Sequence, residues 1–192
     1  MTASAAYWPA SRRLEVRGWF PSDPDLLARG DSDHVGGRYA EMARRGELET
    51  VGGKIVPARE WIARTVAWVG GDAIGCIVAD RFKQAEVGEA LDAVGVRAPV
   101  IWRGMGWKDG GEDTRRFQDA VRGGHVATAE SLLMRSALAD TVLTLDPAGN
   151  AKITRARSTG RIDAAAAAVL AVAEAARRRA RPAPRAVRVA WA

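Results

Sequence analysis

Ala73-Ile74-Gly75-Cys76-Ile77-Val78-Ala79-Asp80-Arg81 is the stretch whose reading decides the fold. It is a short apolar run, rich in β-branched residues, that follows Gly70-Gly71 and ends abruptly in a carboxylate. A run apolar on both faces reads as an interior strand of a parallel or mixed sheet. Residues 84–94 have helical spacing and come directly after it. In open α/β sheets function gathers at the carboxyl ends of strands, and Asp80 stands at that end. Taken alone, the same aspartate reads first as a cap on the next helix.

Upstream of this strand, Pro57 opens a helix over 57–68 with Trp61, Ile62, Thr65 and Trp68 on one face. Residues 48–56 read as a small β-turn unit. Residues 34–45 read as a helix, with Val35, Tyr39 and Met42 at helical spacing and Gly46 ending it. Residues 21–33, rich in Pro, Asp and Gly, read as a connection. Residues 2–8 and 14–20, about the turn Pro9-Ala10-Ser11-Arg12, read as a hairpin. Downstream come a strand at 99–102, a glycine-rich loop at 103–111, and helices at 112–121 and 131–139. Strands at 141–145 and 151–157 flank Asp146-Pro147-Ala148-Gly149-Asn150, which has hairpin-turn chemistry. The alanine-rich run 162–179 is the clearest helix, and Pro182 and Pro184 stop it. This order predicts one α/β domain over 1–180 with a mixed sheet flanked by helices, and a basic, mobile tail over 181–192.

Composition bounds the chemistry. The chain has 192 residues, a net charge of +6 and one cysteine, Cys76, so disulfides have no part in it. No apolar run approaches the roughly 20 residues needed to span a bilayer. The basic balance points to a polyanionic partner, although six arginines between Arg177 and Arg188 account for much of it as a solvated end. Val51-Gly52-Gly53-Lys54 lacks the leading glycine and the hydroxyl of a P-loop. His34 and His125 stand apart from each other and from Cys76, which excludes a zinc site of ordinary composition. No Gly-x-Ser-x-Gly elbow occurs. Carboxylates and a hard divalent cation remain. Besides Asp80, the acid of interest is Asp163, in the first turn of the long helix, where the helix dipole favours a negative charge. The helix behind it is small and apolar on several faces, so it is expected to pack flat on a sheet. Two acids so placed can approach across a sheet and share metal ions, as in two-metal phosphodiester hydrolysis.

Four ordered stretches carry a resemblance. They are Val78-Ala79-Asp80-Arg81-Phe82-Lys83; Arg103-Gly104-Met105-Gly106-Trp107-Lys108-Asp109-Gly110 with Asp113-Thr114-Arg115-Arg116-Phe117-Gln118; Ser131-Leu132-Leu133 through Asp146-Pro147-Ala148-Gly149-Asn150-Ala151-Lys152; and Arg161-Ile162-Asp163-Ala164-Ala165-Ala166-Ala167. Together they resemble the C-terminal nuclease domain of the large subunit of tailed-phage terminases. The resemblance implies an RNase H-like fold and a Mg²⁺- or Mn²⁺-dependent endonuclease, holding two ions, that cuts concatemeric viral DNA in the host cytoplasm. Asp80 matches the family's acid at the end of the fourth strand and Asp163 its acid at the start of the final helix. Lys152 falls in a hairpin that lies near DNA in the family, and Asp146 is a further metal candidate in the same motif, although its turn explains it without one. Implied partners are double-stranded DNA and, in a full-length protein, an ATPase domain, a small terminase subunit and a portal, with no membrane.

The pattern of the family begins with a strand carrying a first catalytic aspartate. Residues 1–8 here read as its second strand, and Glu15, out on the hairpin, is wrongly placed to substitute. The expectation is therefore an N-terminally truncated domain whose nuclease activity is weak or absent in this chain by itself, with unpaired strand edges where the first strand would lie. The alternative is a non-catalytic, DNA-binding prophage remnant, with Lys83, Arg103, Lys108, Arg115, Arg116, Lys152, Arg155 and Arg157 on phosphates. Trp61 and Trp68 are expected in the core. For Trp102 and Trp107, beside the glycine-rich loop, packing is favoured over DNA contact.

Overall fold

The computed structural model describes residues 1–158 and 160–180. In chain order the elements are β1 (Thr2–Trp8), β2 (Arg13–Pro21), α1 (Leu26–Ser32), α2 (Arg38–Arg44), β3 (Leu48–Val51), α3 (Ala58–Val69), β4 (Ile77–Asp80) and α4 (Gln84–Val94). There follow β5 (Val100–Arg103), α5 (Glu112–Arg122), β6 (Ala127–Thr128), α6 (Leu132–Ala139), β7 (Leu143–Leu145), β8 (Ala151–Ile153) and α7 (Asp163–Ala180). The predicted tail over 181–192 lies outside the described residues. No helix among those described is long and apolar enough to cross a membrane.

The hairpin forms as its alternation predicts. β1 and β2 run antiparallel, with Thr2 opposite Trp19 and Trp8 opposite Arg13. Leu14, Val16 and Phe20 share one face of β2 and enter the main core. Trp19, on the other face and wholly buried, meets the Trp61 ring of α3 with centroids 6.3 Å apart. β2 is therefore covered on both faces at its carboxyl end. Its second edge is shared by β3 and β6, both parallel to it. Parallel pairing of β3 brings residues 48–51 back onto the hairpin, which a local reading of that segment as a turn cannot foresee.

Mixed α/β is the fold, but its strands form three sheets rather than one. The stretch 73–81 contracts to β4, because Gly71–Ala73 closes a 3₁₀ turn before it. β4 pairs with β5 in parallel, Asp80 opposite Arg103, and is only half-buried throughout. Its other edge, like the outer edge of β1, has no strand partner among the described residues. The expectation of an interior strand is met on one side of β4 alone. α3 and α4 cover this pair with a separate small core of Ala58, Ile62, Val87, Ala90 and Leu91.

The long helix unites the pieces. α7 packs on β1, β2 and β4 and against α5 and α6. Ala164, Ala165, Ala168 and Ala173 are buried on it, and such small side chains let a helix backbone lie close to a sheet. Helix α1 was missed in the sequence because Pro24 and the acids around it resemble a loop; Asp25 instead caps it, accepting from the Ala28 amide at 2.8 Å. Helix α2 starts later than its apolar spacing suggests, since His34 and Gly36 adopt φ values of 57° and 53°.

Candidate functional site

Asp80 ends β4, and its Oδ1 accepts from the Phe82 amide at 3.1 Å, capping the turn that leads into α4. Asp163 is the first residue of α7; its side chain is 16% exposed and pairs with Arg155 at 2.9 Å. The loop beyond β5 reaches the same region, for Met105 packs against the cluster of Ile153 with Ala166 and Val169 from the first two turns of α7. Both carboxylates thus belong to elements that pack on one another, yet they share no hydrogen bond or ion pair among the described residues. Asp146 is bound up in its own turn: the Ala148 and Asn150 amides donate to its Oδ1 at 2.9 and 2.8 Å, and the Asn150 side chain to Oδ2 at 2.9 Å. These bonds, the Asn150 side chain's above all, hold its carboxyl below the ordinary range and account for the residue without a metal.

A divalent-ion centre needs several oxygen donors converging. Among the described residues no group of three or more His, Cys, Asp or Glu side chains is gathered in that way. The donors among the described residues do not by themselves fit the two-ion site that the resemblance implies.

The chain just before Asp163 is held by a cluster that sequence reasoning did not single out. Arg161 donates from Nε and Nη2 to the two oxygens of Asp33 at 2.8 and 3.0 Å, and the Tyr39 hydroxyl donates to Asp33 Oδ2 at 2.8 Å. The segment leading into α7 is thereby tied to the end of α1 and to α2. Burial works against ionisation of Asp33, but the Arg161 and Tyr39 bonds outweigh it and its pKa falls. Tyr39 is pushed up, by burial first and then by its bond to Asp33. A depressed carboxylate contributes stability that is complete above its unfolded pKa, about 4, and is lost as pH falls through the lower folded value. Asp33→Asn is therefore expected to cost about 1–2 kcal/mol at pH 7, solvent at Arg161 moderating the figure. The difference between variant and parent should shrink below about pH 4 in thermal melts; a difference constant down to pH 2 would refute the assignment.

The cations expected to meet DNA separate into two groups. Lys83, Lys108, Arg155 and Arg157 are exposed, and the Lys152 ammonium lies 4.7 Å over the Trp107 ring, itself 41% exposed. Arg155 already pairs with Asp163 and Lys83 with Glu86. Arg103 is different: only 13% exposed, it forks onto Asp113 at 3.0 and 2.9 Å and reaches Asp109 at 3.3 Å. It belongs to the interior. Arg116 is bound at two nitrogens by Glu112 Oε1, at 3.0 and 2.7 Å, and Arg115 reaches Asp119 at 3.2 Å. Of the other tryptophans, Trp61 and Trp102 pack against the small core, and Trp68 carries Arg17 over its ring at 4.9 Å.

The comparisons with known proteins agree with this geometry. No family model matches the chain. The terminase large subunit of Enterobacteria phage HK97 is 26% identical over 134 residues, which span 70% of this chain and 27% of that protein. The crystal structure of the HK97 bacteriophage large terminase superimposes with a TM-score of 0.73 and 25% identity, over 84% of this chain and 33% of that one. The chain thus spans about a third or less of the relatives it matches. Sequence and fold give one relationship: the chain is similar to a part of a phage terminase large subunit.

Proposed function

We propose that the chain is the nuclease-type portion of a phage terminase large subunit, RNase H-like in plan, with Asp80 and Asp163 as acids of the cutting site. By itself it binds duplex DNA and cuts it weakly or not at all. The observation that carries this reading is the placement of Asp80 at the carboxyl end of β4 and of Asp163 at the start of α7, the helix that packs on β4. The edges of β1 and β4 that have no strand partner among the described residues, both on strands that α7 packs on, support it too, because they leave room for a further strand bearing an acid. Binding of Mg²⁺ or Mn²⁺ is proposed only where such an acid joins these two. An ATPase region, a small subunit and a portal are the partners proposed for the longer protein, in the host cytoplasm.

A second reading, a non-catalytic DNA-binding remnant, is favoured by the internal partners that each carboxylate already has. Supercoiled plasmid with Mn²⁺ separates the two. The chain alone should retard plasmid without nicking it. A longer version carrying an acid-bearing strand against β1 and β4 should nick it, and Asp80→Asn or Asp163→Asn should slow nicking on the order of a hundredfold. Nicking unchanged in both variants would sink the nuclease assignment, and a longer version that binds but never nicks establishes the remnant.

A further inference from the structure

At the end of α7 remote from Asp163 the surface dips into an open recess of about 490 Å³. From Asp163 to Arg179 is sixteen residues of helix, about 24 Å, so the recess lies away from Asp163. Its lining comes from α5, α7 and the end of β1, with the small side chains of Ala120, Ala176 and Ala180 among it.

The rim is cationic: Arg115, Arg116 and Arg179 stand around it against one carboxylate, Asp119. These guanidinium groups keep free donors. Arg115 gives one nitrogen to Asp119. Arg116 is fixed by Glu112 through Nε and Nη2, and its Nη1 has no bond among the described residues. Arg179 is exposed and has no hydrogen bond or ion pair among the described residues. The remaining wall is braced: the Tyr7 hydroxyl donates to the His125 carbonyl at 2.6 Å, and Arg12 to the Gly124 carbonyl at 3.2 Å. Arg122, 73% exposed, adds a charge beside Asp119.

We propose that this recess is a phosphate subsite that takes a phosphodiester group of a nucleic-acid strand. Guanidinium groups from two helices lining one recess suit an oxyanion with several acceptor oxygens better than a flat carboxylate. The openness of the recess admits a group carried on a polymer, whereas a small free ligand would be left largely solvated. The span from here to Asp163 corresponds to about seven base pairs at 3.4 Å each, so one duplex can reach both ends of α7. The proposal needs no cleavage, and a chain that never cuts DNA leaves it standing.

The test is fluorescence anisotropy of the full chain with a labelled mixed-sequence duplex, titrated between 50 and 200 mM salt without metal. Arg115→Ala/Arg179→Ala should weaken binding roughly tenfold and reduce the logarithmic salt slope by about two. The control Arg59→Ala/Arg97→Ala removes the same charge from exposed positions elsewhere and should change affinity less than about twofold. Thermal melts confirm that both variants fold. Equal losses in the two double variants overturn the proposal. In a second arm, inorganic phosphate should shift the Arg115 side-chain resonance in the parent and compete with duplex. Phosphate binding there without any effect of the double variant on duplex affinity overturns the nucleic-acid assignment, as does poly-glutamate competing as well as DNA.

Discussion

Asp113→Ala is expected to destabilise the protein by about 3–5 kcal/mol, read from the urea midpoint at unchanged slope. Asp113 is 2% exposed and takes three charged hydrogen bonds: two from the Arg103 fork and one from Arg177 at 2.6 Å. Arg103 ends β5 and Arg177 lies near the end of α7, so one carboxylate on α5 joins the two-stranded sheet to the long helix. Removing it leaves two guanidinium groups, 13% and 14% exposed, facing each other, with Asp109 3.3 Å from Arg103, Glu174 beside Arg177, and Glu112 shared between them at 3.4 and 3.6 Å. The cost is that of stranded charge more than of a lost bond. If Asp113→Ala costs under about 1 kcal/mol, the network is not a structural joint. The same logic removes Arg103 from the residues that meet DNA: its substitution should lower the melting temperature and leave the salt slope of binding unchanged.

The sequence disclosed elements wherever a local signal sufficed. The hairpin, α3, α4 and α7 follow from alternation, helical spacing and glycine or proline punctuation, while Ser131, read as the first residue of its helix, is instead the cap of α6, accepting from the Met134 amide at 3.1 Å. What stayed hidden depends on non-local pairing. Nothing in residues 48–51 says that they lie parallel to β2, and nothing in the apolar run at 77–80 says that it has one strand neighbour instead of two. The site was legible in the same partial way. Asp80 and Asp163 stand at the element ends expected of them, but the partners that hold the approach to Asp163 come from α1 and α2, more than a hundred residues away in sequence. One signal was open to notice: Glu174, a lone acid in an alanine run, is 3% exposed and pairs with Arg177 and Arg178, and a charge buried in such a helix calls for partners.

Phe20→Ala carries the second large effect, about 3–5 kcal/mol, because Phe20 is wholly buried and its loss opens a cavity that a sheet on one side and α7 on the other cannot close. Its ring meets Tyr39 edge-on with centroids 4.8 Å apart, while the guanidinium carbons of Arg29 and Arg161 lie 4.8 and 5.8 Å from its centroid. Phe20 thus supports both residues that bind Asp33, and through Arg161 it supports the entry to Asp163. Phe20→Leu keeps most of the volume and should cost less than about 1.5 kcal/mol beyond the lost ring contacts. A double-mutant cycle with Tyr39→Leu should return a coupling of about 0.5–1.5 kcal/mol. The decisive readout is local. The Ala166 amide donates to the Ile162 carbonyl at 2.9 Å in the first turn of α7, and its hydrogen exchange reports whether that turn is held. In Phe20→Ala it should exchange faster than the drop in global stability alone predicts, since the support of Arg161 is lost as well as the core. Exchange that follows global stability alone would mean that the helix start bearing Asp163 is fixed by α7 itself, and that Asp33, Tyr39 and Phe20 only fill space behind it.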